Sequence, residues 1–143
     1  MTNPLLTIRL ALKRRYAHEM AEVTGRWQLT VMEADVLLFL GNNPQCDTAT
    51  DMVQLRQLTK SHVSKAVEHL TEMGFIVQHR DEKNRRRIHL TLADKALPVV
   101  AEGQAAQKRF VEALTQGLSE EDKETMGRIL EVVTRNAAQM ADE

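Results

Sequence analysis

A single cysteine, Cys46, in 143 residues leaves no partner for an internal disulfide, so the chain must fold without covalent staples, which fits a reducing compartment. Long apolar runs are also missing. The longest, Val36 to Leu40, falls far short of the roughly 20 residues that a membrane-spanning helix requires. The opening Met-Thr-Asn-Pro has no basic region leading into an apolar stretch, so no secretory signal is read there and a cytoplasmic location is expected. Nothing matches H-E-x-x-H, and the spacings of His62, His69, His79 and His89 fit no common zinc motif. Neither an enzyme nor a resident metal or cofactor is therefore expected. Internal repeats and low-complexity segments are absent as well.

What is present is enough hydrophobic residue, 43%, to build a packed core, and a charge that is small in total but unevenly placed. Residues 56–90 hold eight Lys and Arg against four Asp and Glu, a local +4, which leaves −5 for the rest of a chain of net charge −1. Four of the five histidines lie in the same window, where a polyanion would favour their protonation. A basic segment in an otherwise acidic chain is the footprint of a nucleic-acid contact, with a solvated face as the plain alternative. Position therefore decides between them.

Helix signals recur from end to end. Leu5, Ile8, Leu12, Tyr16, Met20, Val23 and Trp27, spaced by three or four, form one apolar stripe on a long first helix. Thr30-Val31-Met32-Glu33 has the reciprocal capping pattern and opens a second helix ending near Gly41-Asn42; Thr48-Ala49-Thr50-Asp51 opens a third, running to about Leu55. Thr59 can cap a fourth helix that runs to Met73, with Gly74 as its left-handed stop. Val63, Ala66, Val67, Leu70 and Met73 share one side of it. Ser61, His62, Ser64, Lys65, Glu68 and His69 then face outward.

Phe75 to His79 and Ile88 to Leu92 read as the two strands of a hairpin, the second with Ile88, Leu90 and Leu92 alternating against His89 and Thr91. The intervening loop, Arg80 to Arg86, holds no apolar residue and must project into solvent. Pro98 places the start of a fifth helix near Asp94, and Ser119-Glu120-Glu121-Asp122 caps a sixth. The fold class is mainly α, about six helices plus one β-hairpin.

Helix, turn, polar-faced helix and basic hairpin in that order make a winged helix-turn-helix, whose second helix fills the major groove of DNA. A following hairpin then lies by the adjacent minor groove, whose negative potential attracts arginine. Ser61, His62, Ser64, Lys65 and His69 would face the major groove, Lys60 would meet phosphate, and Arg85, Arg86 and Arg87 would sit at the wing.

At these residues the sequence resembles the MarR family of bacterial transcriptional regulators. Leu58-Thr59-Lys60-Ser61-His62-Val63-Ser64-Lys65-Ala66-Val67-Glu68-His69-Leu70 is similar to that family's recognition helix. Asp81-Glu82-Lys83-Asn84-Arg85-Arg86-Arg87-Ile88-His89-Leu90-Thr91-Leu92 resembles its wing, commonly D-P-x-D-R-R-x-x-x-V-x-L-T. Two positions depart from the pattern: Asn84 stands where the family usually has aspartate, and Ala93 where a threonine opens the next helix. Arg86 is the arginine the resemblance assigns to the minor groove.

The resemblance implies a single MarR-like domain over 1–143, with a winged helix-turn-helix lobe at 29–93, recognition helix 60–73 and wing 80–87, and dimerisation helices at 1–28 and 94–143. It implies a homodimer on double-stranded DNA at a pseudo-palindromic operator, acting as a repressor released by a small-molecule effector. The effector would enter a pocket between the dimerisation helices and the lobe, a space that Tyr16, Met20 and Trp27 would line if they were not simply core. The rival readings are a metal- or redox-responsive regulator of the same fold, using His62, His69, His79 and His89, the pair His18 and Glu22, or Cys46, and a winged-helix module that binds protein.

Overall fold

The computed structural model describes residues 2–56 and 58–141. The order of elements is α1 (Pro4–Trp27), α2 (Val31–Asn42), α3 (Ala49–Arg56), α4 (Lys60–Glu72), β1 (Ile76–Arg80), β2 (Ile88–Leu92), a single 3-10 turn (Asp94–Ala96), α5 (Leu97–Leu114) and α6 (Glu120–Ala141). The chain divides into two compact units, residues 1–110 and 111–143. Among the described residues no helix is long and apolar enough to cross a membrane.

Local capping accounts for most of the boundaries in the first unit. Thr30 Oγ1 accepts the Glu33 amide while Glu33 Oε1 accepts the Thr30 amide, so two helix-end donors of α2 are satisfied reciprocally. Thr48 and Asp51 repeat the arrangement at α3. Thr59 Oγ1 accepts the His62 amide at the head of α4. Helix α4 ends one residue earlier than Met73, which is its cap, and Gly74 turns the chain at φ +80°. An alanine there would be held in the left-handed region at a cost of about 1–2 kcal/mol. Gly74→Ala should therefore lower the urea midpoint of unfolding with an unchanged slope.

The core of this unit is a layer of side chains under α2, α3 and α4. Leu37, Met52, Val63 and Leu70 are fully buried, with Phe75, Ile76 and Leu90 closing the layer from the hairpin side. Helix α5 contributes Val99 and Val100, and crosses α2 so closely that a Cβ on Gly103 would lie 2.8 Å from Leu38 Cδ2. Strands β1 and β2 pair antiparallel in the register Ile76↔Leu92 to Arg80↔Ile88. The alternation in β2 puts Leu90 inside, as its sequence pattern predicts.

Where threonine is missing, at Ala93, the chain has no side-chain cap. The start expected near Asp94 is accordingly a 3-10 turn, and regular α5 begins at Leu97 with Pro98 in its first turn. Toward its amino-terminal end the stripe on α1 is not covered: Leu5 and Ile8 are exposed, and only Met20 and Val23 are buried.

The second unit begins at Val111, in the last turn of α5. Gly117, at φ +89°, turns the chain, and Ser119 and Asp122 form a third reciprocal cap at the head of α6. Ile129, Leu130, Val132 and Val133 remain exposed on α6.

Candidate nucleic-acid interface

The polar side of α4 is solvent-facing as its pattern requires: Lys60, Ser61, His62, Ser64, Lys65 and His69 are all exposed, while Val63, Ala66, Val67 and Leu70 are buried. Arg85, Arg86 and Arg87 are exposed in the hairpin loop. Helix α3 joins the two groups. Arg86 and Arg87, with Asn84, form one wall of a cleft of about 390 Å³ whose other wall is Thr48, Thr50, Asp51 and Gln54. Thr50 and Gln54 also line the next cleft along, together with Lys60 and Ser64. The hairpin loop and α4 are thus parts of one continuous surface.

That surface extends past α4 to the head of α2, where His62, Lys65 and His69 share a depression with Thr30 and Glu33. Glu33 is buried, and its two carboxylate oxygens are divided: Oε1 completes the α2 cap, and Oε2 meets His69 Nδ1. Burial opposes the charge on Glu33, but the Thr30 amide and His69 outweigh it and hold the carboxyl below its usual range. His69 is therefore anchored through one ring nitrogen, and its remaining edge faces solvent beside Lys65. The sequence places these partners 36 residues apart and offers no spacing signal for the pair.

The loop that carries the arginines is shaped by its own polar groups. Asp81 Oδ1 accepts the amides of Lys83 and Asn84 at 2.8 and 3.1 Å, Asn84 Oδ1 accepts the Arg86 amide at 3.2 Å, and the Arg87 amide donates to the Asn84 carbonyl at 2.9 Å. Asparagine at 84 thus supplies the local side-chain-to-backbone turn of which that residue is capable. Arg80 Nη1 donates to the Arg85 carbonyl at 3.0 Å and closes the loop from the strand side. His89, at the base of the wing, is half-buried between two carboxylates. Its Nδ1 lies 2.8 Å from Asp47 Oδ1 and its Nε2 lies 2.9 Å from Asp81 Oδ2. His89, together with the Lys83 and Asn84 amides, lowers the Asp81 carboxyl to about 2.

Sequence reasoning missed Thr50 and Gln54 as surface residues between the two elements. One helical turn apart and opposite Met52, they could have been found from the amphipathic pattern of α3. It also missed the bridge from His89 to Asp47, which no local pattern encodes.

Of the three residues considered for an effector pocket, Met20 is fully buried in the core, and Trp27 packs against it with Nε1 donating to Glu102. Tyr16 lines a largely apolar cleft of about 530 Å³ that Leu12, Val31, Met32 and Phe110 also line, whereas Trp27 borders a separate one with Met73, Phe75 and Lys95. There Tyr16 OH donates to Asp35 at 2.6 Å and its ring meets Phe110 edge-on at 5.2 Å. Among the described residues, no group of three or more His, Cys, Asp or Glu is arranged to hold a metal ion. Cys46 is partly buried against the core.

Residues 27–87 match the MarR family, a span that ends with the three arginines. No curated protein matches the chain in sequence. Solved structures share its fold over nearly all of both chains. A MarR protein from Peptoclostridium difficile superposes with a TM-score of 0.82 at 20% identity, covering 98% of this chain and 91% of that one. A MarR family transcriptional regulator from Listeria monocytogenes, complexed with 26mer DNA, gives 0.85 at 15% identity over 97% and 91%. The S. aureus MepR–DNA complex gives 0.78 at 19% identity over 95% and 99%.

Proposed function

From a lobe that matches the MarR family and a whole-chain fold shared with MarR transcriptional regulators, we propose that this protein is a cytoplasmic, sequence-specific regulator of transcription that binds double-stranded DNA as a homodimer. The observation that carries the reading is the continuous surface that runs from Arg86 and Arg87, across Thr50 and Gln54, to Lys60 and Ser64. Helix α4 enters the major groove with Ser61, His62, Ser64, Lys65 and His69 toward base edges, and Lys60 meets phosphate. The wing brings Arg85, Arg86 and Arg87 to the neighbouring minor groove.

Dimerisation follows from need and from surface. One recognition helix spans only a few base pairs, and helix-turn-helix proteins gain affinity by pairing over half-sites one duplex turn apart. Leu5, Leu6 and Ile8 on α1, and Ile129, Leu130 and Val133 on α6, are exposed apolar side chains suited to an isologous contact. A small-molecule effector binding the Tyr16 cleft would release the repressor by favouring one spacing of the two lobes over another.

Selection of bound duplexes from a random-sequence pool, at near-physiological salt, tests the reading. The expected product is one inverted repeat with half-sites about 10 base pairs apart, centre to centre. Enrichment of no sequence over the starting pool would count against it.

A further inference from the structure

The DNA-binding reading leaves one cluster unused. His89 stands between Asp47, on the connection from α2 to α3, and Asp81, at the root of the wing, with a ring nitrogen on each carboxylate. An ionised carboxylate only accepts hydrogen bonds, and a neutral imidazole has only one N–H. Both bonds can form together only when His89 is an imidazolium. In the neutral ring one nitrogen turns a lone pair toward a carboxylate oxygen, and that arm of the bridge is repelled.

What the bridge holds is the loop that carries the arginines. Asp81 Oδ2 takes His89, while Asp81 Oδ1 takes the amides of Lys83 and Asn84, and Asn84 in turn takes the amide of Arg86. At the other end, Asp47 is tied to β2 by its carbonyl, which accepts the Leu90 amide at 2.7 Å. Asp47 also adjoins Thr48, the cap of α3 and one wall of the cleft that Arg86 and Arg87 share. The bridge therefore couples the wing to α3 across that cleft. The geometry points to His89 as a positioning residue for the wing: its imidazolium fixes the arginine loop against α3, so that the protein holds duplex DNA more tightly in mildly acidic than in mildly alkaline solution. This inference rests on the DNA-binding reading above.

Cationic groups near His89 oppose its proton, and Asp47 and Asp81 hold it against them. From β1, His79 stands opposite it in register and shares its face of the sheet. Arg80 and Arg87 flank the base of the wing. In α3, Asp51 is engaged with the Thr48 amide. The two acids of α2 are committed elsewhere, Glu33 to Thr30 and His69, and Asp35 to Tyr16. With His89 charged, the Asp47–His89–Asp81 set carries −1; with His89 neutral it carries −2, and the added negative charge lies beside arginines that must meet phosphate.

Asp81 and then Asp47 raise the His89 pKa above its ordinary value. The folded-state value is thus above the unfolded one. Ordering of the wing by the bridge is complete below the unfolded value and is lost as pH rises through the folded value.

Two measurements on the intact protein test the inference. In the first, without DNA, the His89 ring and the backbone nitrogens of Lys83 and Asn84 are followed by NMR from about pH 5.5 to about pH 8.5, on either side of the usual histidine value. They should titrate together, and Asp47→Ala should move their shared midpoint down. If the two backbone signals ignore the His89 titration, the bridge does not order the loop. In the second, affinity for the selected duplex is compared at the two ends of that range in the wild type and in His89→Gln. Every other group is common to both proteins, so the difference isolates His89. The wild type should lose several-fold more affinity than the variant between the two ends of that range. Equal losses overturn the inference. If the wild type binds no selected duplex while the NMR titration behaves as stated, it is the DNA-binding reading that fails, and with it the consequence for affinity.

Discussion

Arg86→Ala should weaken binding to the selected duplex by about tenfold to a hundredfold, the 1.5–3 kcal/mol associated with a hydrogen bond to a charged group. It should also flatten the slope of log affinity against log salt by about one for each protomer, since each phosphate neutralised contributes about 0.9. The side chain can be removed without unmaking the wing, because the loop uses the backbone of this residue: its amide donates to Asn84 Oδ1. Thermal stability should be nearly unchanged, as for most exposed positions. Arg86→Lys keeps the charge and should keep the salt slope, while losing part of the affinity that a planar guanidinium gains in a narrow groove. Normal operator binding and an unchanged slope in the alanine variant would remove the wing from the interface.

Leu70→Ala should cost about 2–5 kcal/mol of folding stability, toward the upper end because Leu70 is fully buried beneath α4 beside Val63 and Val67. Small domains have only about 5–15 kcal/mol in total, so this one change removes a large part of it. The loss should appear as a lower urea midpoint at unchanged slope. Ser61→Ala, on the exposed side of the same helix, should stay within about 0.5 kcal/mol while altering duplex affinity. A Leu70→Ala shift below about 1 kcal/mol would mean that α4 does not rest on this face, and its polar side would lose its assignment to the groove.

What could be read from the residues, and what could not, follows from the range of the forces involved. The three reciprocal caps at Thr30, Thr48 and Ser119 are exchanges between groups three residues apart, so those helix starts were legible. The buried face of α4 follows from a 3.6-residue period and was legible for the same reason. Ala93 gave warning of a weak start for α5 because a cap was visibly missing, but not of the 3-10 turn that replaces it. His89 was read as the polar member of an alternating strand and as one of four histidines without zinc-motif spacing. The contact that makes it half-buried comes from Asp47, 42 residues away, and depends on how the connection before α3 meets β2. Glu33 was visible as a capping residue, while its second oxygen was assigned only once α4 lay against α2. Local chemistry was legible, and the partners of a side chain with two polar ends were legible at one end.

The most direct measurement is a hydroxyl-radical and dimethyl-sulfate footprint on the selected duplex, with wild type and Arg86→Ala side by side. Wild type should shield guanine N7 in two major-groove segments one turn apart and shield the adjoining minor grooves on the outer flanks. The variant should leave the central protection in place and lose the flanks. Identical footprints from the two proteins, or protection confined to one groove, would contradict a surface in which α4 and the wing grip neighbouring grooves together.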